Sequence, residues 1–220
     1  MPGLAPSIIA ADVGRMKEEL DRVAPFSERW HVDVMDGHYV PNLTIGPMVV
    51  DAISRHSKLP QDVHLMITNP AETWEWYAKA GAARIAFHPD ATDDAERLLH
   101  ALAGSGIGPG IAINPDVEVR SVEGLFELVD HVVVMSVYPG FSGQAFIPES
   151  IPKLAEVRGW VKANRANIEI IIDGGVSEKT APACVEAGAD LLVSASAVFG
   201  ARDPAGVAQA LSSIARDPRG

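Results

Sequence analysis

Two histidines and two aspartates stand at the ends of short apolar runs in this chain, and together they could hold a divalent metal ion. One run ends His31-Val32-Asp33-Val34-Met35-Asp36-Gly37, a second Asp62-Val63-His64-Leu65-Met66 and a third Ile171-Ile172-Asp173-Gly174-Gly175. Side chains alternate along a strand, so His31 and Asp33 point the same way if the first run is one. Mixed imidazole and carboxylate ligands suit a single Zn, Fe(II), Mn(II) or Co(II) ion. Each fragment taken alone has a structural reading: His-x-Asp as a hydrogen-bonded pair, Asp before Gly-Gly as a turn former. Their joint placement favours a metal site, because ionisable groups at the ends of buried strands need partners.

Two further segments carry chemical signals. Gly174 and Gly175 follow one apolar run, and Ser194-Ala195-Ser196-Ala197 follows another, ahead of a predicted short helix through Phe199. Small residues in such positions let backbone N–H groups approach a phosphate, and these loops are poor in Lys and Arg. The alternative is that they simply permit tight turns. The stretch Val137-Tyr138-Pro139-Gly140-Phe141-Ser142-Gly143-Gln144-Ala145-Phe146 is long and glycine-rich, as expected of a mobile lid that excludes water; the alternative is an ordinary surface loop, in which two aromatics would be unusual.

The elements that must position these residues alternate along the chain. Short runs rich in Val and Ile predict buried parallel strands at 4–9, 30–34, 62–66, 84–87, 107–113, 131–136, 168–172 and 191–194. Amphipathic stretches between them predict helices at 12–23, 71–80, 93–103, 149–164, 177–187 and 203–214, with a weaker one after Gly46. Pro70, Pro148 and Pro204 mark helix starts, Ser177 is an expected N-cap, and Gly81 and Gly188 are expected C-terminal caps. About eight strand–helix units in one chain predict a parallel α/β barrel, a single (β/α)8 TIM-barrel domain over residues 1–220. An open doubly wound sheet would carry a Gly-rich loop after its first strand, and Pro6-Ser7-Ile8-Ile9-Ala10-Ala11-Asp12 has no glycine. Chemistry in a barrel sits at the C-terminal strand ends, where the His and Asp residues fall.

Composition narrows the partners. The 220 residues are 47% hydrophobic and 21% charged, as in a globular protein with a sizeable core. Eighteen basic against 29 acidic residues leave a net charge of −11, which disfavours nucleic acid and anionic membranes as partners. A single cysteine, Cys184, excludes an intramolecular disulfide and fits a reducing compartment. Met1-Pro2-Gly3-Leu4-Ala5 lacks the basic start and apolar run of a signal peptide, so the expected location is the cytoplasm.

The motifs resemble one known family. His31-Val32-Asp33-Val34-Met35-Asp36-Gly37-His38-Tyr39-Val40-Pro41-Asn42 and Val134-Met135-Ser136-Val137-Tyr138-Pro139-Gly140-Phe141-Ser142-Gly143-Gln144-Ala145-Phe146 look like signatures of ribulose-phosphate 3-epimerases. Pro6–Asp12, His64-Leu65-Met66 and Asp173-Gly174-Gly175-Val176 match in the same order. The resemblance implies epimerisation at carbon 3 of D-ribulose 5-phosphate, giving D-xylulose 5-phosphate, without a redox cofactor. It implies one divalent ion on His31, Asp33, His64 and Asp173, with Asp33 and Asp173 as the acid–base pair. It further implies substrate contacts from Ser7 and His64, and a phosphate held by Gly140, Phe141, Ser142, Gly143, Gly174, Gly175, Ala195 and Ser196. Met35, Met66 and Met135 would form an apolar wall, although core packing would use them equally well. A sugar phosphate is then the partner, and a homo-oligomer the expected assembly. Ser142 and Ala195 stand where the family usually has glycine, and Asp116-Val117 follows Pro115 in place of Gly-Thr. Allulose 6-phosphate 3-epimerases share the core signatures and are the alternative enzyme. A catalytically silent sugar-phosphate-binding barrel is the alternative of another class.

Overall fold

The computed structural model describes residues 3–216. Eight strands form one parallel sheet: β1 (Gly3–Pro6), β2 (Trp30–Met35), β3 (Gln61–Met66), β4 (Arg84–Phe87), β5 (Gly108–Ile113), β6 (His131–Met135), β7 (Glu169–Asp173) and β8 (Leu191–Ser194). Their order is β1-β8-β7-β6-β5-β4-β3-β2, so the sheet curls until its first and last members meet. A single parallel bridge from Ser7 to His31 joins those two edges. The result is a nearly closed TIM-type barrel.

Alternation along the strands creates two apolar layers. Val32, Val34, Val63, Leu65, Ile85, Phe87, Val132, Val134, Ile170 and Ile172 pack outward in the large core shared with the helices. The intervening positions place Ala5, Ala86, Ala112, Val133, Ile171, Leu191 and Val193 together inside the ring. His31 and Asp33 on β2, His64 on β3 and Asp173 at the C-terminal end of β7 also take inward positions, so a polar cluster adjoins the inner apolar layer.

Most connections are helical: α1 (Met16–Val23), α2 (Pro47–His56), α3 (Pro70–Ala80), α4 (Ala95–Gly104), α5 (Ser150–Asn164), α6 (Ala181–Ala187), α7 (Ser196–Phe199) and α8 (Pro204–Arg216). Between β5 and β6 the chain instead uses two 3-10 segments, Val119–Ser121 and Glu123–Leu128. Prolines 47, 70 and 204 open their helices, where the missing N–H has no partner to lose. Gly81 and Gly188 close α3 and α6 at φ 108° and 112°, in the left-handed region that glycine enters without strain.

Three boundaries shift by three residues or more from the sequence reading, and the others by two at most. The first strand stops at Pro6, because the Ser7 side chain accepts from Ile9 N–H and starts a 3-10 turn over Ile8–Ala10. Asp12 caps another 3-10 turn, so α1 begins only at Met16. Ser177 does not cap α6. Its N–H donates to Thr180 Oγ1 at 2.9 Å, and this turn delays the helix until Ala181. Among the described residues no helix is long and apolar enough to cross a membrane.

Candidate active site

The strand register builds the site. In the β2–β3 pair Asp33 lies opposite His64, and in β6–β7 Met135 lies opposite Asp173. His31, Asp33, His64 and Asp173 are all buried, and each offers one ligand atom within 4.8 Å of the others. His31 Nε2 lies 3.3 Å from Asp33 Oδ1 and 3.6 Å from Asp173 Oδ2. His64 Nδ1 lies 3.4 Å from the same Asp33 oxygen and 3.6 Å from the same Asp173 oxygen. Neither nitrogen has a hydrogen-bond partner, although both are fully shielded from solvent. Two unpartnered imidazole nitrogens aimed between two carboxylate oxygens are the donor set that a divalent cation satisfies.

Charge demand points the same way. Burial disfavours a charged imidazole, yet Asp33 and Asp173 overcome it and push His31 up to about 10. His64 is also raised, against burial, by Asp173 and Asp33. Burial works to raise Asp33, but His31 and then His64 hold it well below the ordinary carboxylate range. Asp173 likewise ends low: burial and the Asp33 charge oppose ionisation, and the two imidazoles outweigh them. The cluster draws in positive charge, from protons or from a cation.

Above it opens a cavity of ≈ 260 Å³. Asp33 and Asp173 reach its floor, and Met35, Met66 and Met135 form part of its wall. Gly140, Phe141, Ser142 and Gly143 from the β6–α5 loop meet Gly174, Gly175, Ala195 and Ser196 across it. Gly174 and Gly175 have φ of 109° and 61°. A Cβ on Gly174 would stand 2.5 Å from Val137 Cγ2, and one on Gly175 would stand 2.7 Å from Phe146 N. Both glycines are therefore required by conformation and by close approach. Ser7, His31 and His64 lie outside the cavity lining, and the Ser7 hydroxyl donates to Asp33 Oδ2.

Residues 3–199 match the family described as "Ribulose-phosphate 3 epimerase family". The chain belongs to that family. A "Ribulose-phosphate 3-epimerase" of Mycobacterium leprae is 44% identical over 211 residues, covering 96% of this chain and 93% of the relative. A "Ribulose-phosphate 3-epimerase, cytoplasmic isoform" of Oryza sativa subsp. japonica is 38% identical, covering 94% and 92%. Among solved structures, a mutant tryptophan synthase alpha-subunit from Pyrococcus furiosus superposes with a TM-score of 0.70 over 95% of both chains. At 13% identity that likeness shows the barrel alone.

Several residues of this epimerase-family site escaped the sequence reading. His88 Nε2 sits 2.9 Å from His64 Nε2. Burial, then the neighbouring His64, keeps the His88 imidazole well below its ordinary range and so neutral. Thr44 Oγ1 donates to the Asp33 carbonyl at 2.8 Å and accepts from Met35 N–H at 3.0 Å, bracing the end of β2. Asp36 accepts from His38 N, Tyr39 N, and both Thr68 N and Oγ1. Partial burial opposes its ionisation, but these donors bring it down to about 2 and tie the β2 loop to the β3 loop. Asn42 Nδ2 donates to the Gly140 carbonyl at 2.6 Å, joining the β2 loop to the expected lid. One signal was available: His88 continues the inward alternation of Arg84 and Ala86, as His64 does on β3.

Proposed function

We propose that this chain epimerises D-ribulose 5-phosphate and D-xylulose 5-phosphate at carbon 3. The observation that carries the reading is the pair of buried carboxylates, Asp33 and Asp173, sharing two unpartnered imidazole nitrogens at the floor of one cavity. Family membership supports the same reaction, since the relatives are named for it. His31, Asp33, His64 and Asp173 would hold one divalent ion of the Zn, Fe(II), Mn(II) or Co(II) class. When bound, the ion supplies positive charge for the ketose oxygens on which negative charge develops as the carbon 3 proton leaves.

The proton work falls to the chain itself. Asp33 stands on β2 and Asp173 on β7, with β1 and β8 between them in the ring. One carboxylate takes the carbon 3 proton from one face of the sugar. The other returns a proton to the opposite face, and the two exchange roles in the reverse direction. Met35, Met66 and Met135 exclude water around the reacting carbons. Backbone amides of Gly140, Phe141, Ser142, Gly143, Gly174, Gly175, Ala195 and Ser196 hold the phosphate, with Ser7 and His64 supporting the reacting end. The cytoplasm is its proposed location, matching the rice relative's printed name.

A hexulose phosphate substrate and a silent binding barrel are not favoured, because the relatives are named for ribulose phosphate and every ligand position is filled. The test is a substrate panel on chelated and metal-reloaded protein. Inversion of ribulose 5-phosphate should disappear on chelation and return with metal, and allulose 6-phosphate should react more slowly. Full turnover by the metal-free protein, or a preference for the hexulose, would overturn the proposal.

A further inference from the structure

We infer that His88 is a positioning residue: it accepts a hydrogen bond from His64 Nε2 and so presents His64 Nδ1 to the two carboxylates. The inference rests on the reading of His31, Asp33, His64 and Asp173 as metal ligands, and deepens it.

Two imidazole nitrogens 2.9 Å apart form a hydrogen bond only if one carries the proton and the other a lone pair. His64 Nδ1 faces Asp33 Oδ1 and Asp173 Oδ2 at 3.4 and 3.6 Å, and a ligand atom must offer its lone pair there. The neutral ring then carries its proton on Nε2. His64 is the donor, His88 Nε2 the acceptor, and the His88 proton sits on Nδ1. That Nδ1 is buried and has no hydrogen-bond partner.

An unpartnered buried N–H is unfavourable, and packing alone gives no reason to place one here. Phenylalanine would fill the same space without that penalty. Among the described residues the single side-chain polar contact of His88 is with His64, so this contact is what the histidine serves. The His88 ring also lies against Tyr39, with centroids 5.0 Å apart and planes tilted by 34°. Tyr39 is itself held, its hydroxyl donating to Asp90 at 2.9 Å and accepting from Asn114 Nδ2 at 3.2 Å. Tyr39 thereby limits rotation of the His88 ring. Such outer partners fix the tautomer and angle of ligating imidazoles.

The test compares His88→Phe, His88→Leu and His88→Gln with the unsubstituted chain and with His64→Gln. Each protein is stripped with chelator, checked by thermal melting, and titrated with Co(II) against a competing chelator while the ligand-field absorption is recorded. Loss of the acceptor in the Phe and Leu proteins should weaken Co(II) binding by about 10–100-fold and alter the absorption bands. Gln offers an amide oxygen as acceptor, and should recover most of the affinity and the original bands. Unchanged Co(II) affinity in a folded His88→Phe protein, with affinity lost in His64→Gln, would overturn the role of His88 and leave the metal centre standing. Equal losses in the Gln and Phe proteins would also overturn it, because packing would then explain the residue. Failure of the unsubstituted chain to bind Co(II) would remove the metal reading and this inference together.

Discussion

The Ser7 hydroxyl donates to Asp33 Oδ2, which leaves Oδ1 as the oxygen facing both His31 and His64. One oxygen of this carboxylate is held by the protein and the other is offered to the cluster. Ser7 sits at the bridge that closes the barrel, so the same residue joins β1 to β2 and orients the site.

The Ser7→Ala protein should keep its fold but lose about 10–100-fold in metal affinity or turnover, the range seen when an outer partner of a metal ligand is removed. Oδ2 would lose a buried donor and the carboxylate could rotate. Metal titration and steady-state kinetics on the same preparation check this. Wild-type values in both would show that Asp33 needs no such brace.

Changing either Asp33 or Asp173 to Asn should abolish net inversion, with losses of at least the 10²–10⁴-fold typical of a general acid or base. Each single mutant should still exchange the carbon 3 proton from the epimer facing its surviving carboxylate. In deuterated water the two metal-loaded mutants should then label opposite epimers. Labelling of the same epimer by both would point to one base and end the two-face scheme.

Gly174→Ala should be destabilised by at least the ~1–2 kcal/mol that a left-handed backbone costs an L-residue. The clash with Val137 adds to that and displaces the turn between Asp173 and the β6–α5 loop. Urea unfolding measures the first effect. A rise in KM for the sugar phosphate greater than for the unphosphorylated sugar reports the second. A selective effect on the unphosphorylated sugar would argue against a phosphate near Gly174.

Burial pushes the Cys184 thiol from 9.0 up to about 12. The folded state therefore favours the protonated form. Its contribution to stability is fully present below pH 9.0 and is lost as pH rises toward about 12. Replacing Cys184 with Ala should flatten the alkaline fall in the urea midpoint relative to the unsubstituted chain. Native protein at pH 8 should also resist alkylation until it is unfolded. Rapid labelling of the folded protein would contradict the buried placement.

Much of the site was legible because it depends on short-range rules. Two-residue alternation puts His31 and Asp33 on one face of β2, and the buried Val and Ile runs identify the strands that carry Asp173 and His64. Pro70, Pro204, Gly81 and Gly188 mark helix ends through their own backbone constraints, so they needed no tertiary information. Local competition was harder to see. Ser7 and Thr180 bond neighbouring N–H groups and shift the ends of β1 and α6.

What the chain alone determined, then, is the barrel, the strand ends that bear ionisable groups and the family whose motifs they match. Only the tertiary structure decided which atoms meet. The approach of Ser7 to Asp33 depends on closure of the ring between β1 and β2. That of His64 to His88 depends on the register of β3 against β4, where His64 pairs with Ala86. Register and closure are set by how whole strands tilt and pack on the inner and outer apolar layers. No spacing within one segment encodes that, because the partners lie on different strands and their separation is fixed by the ring.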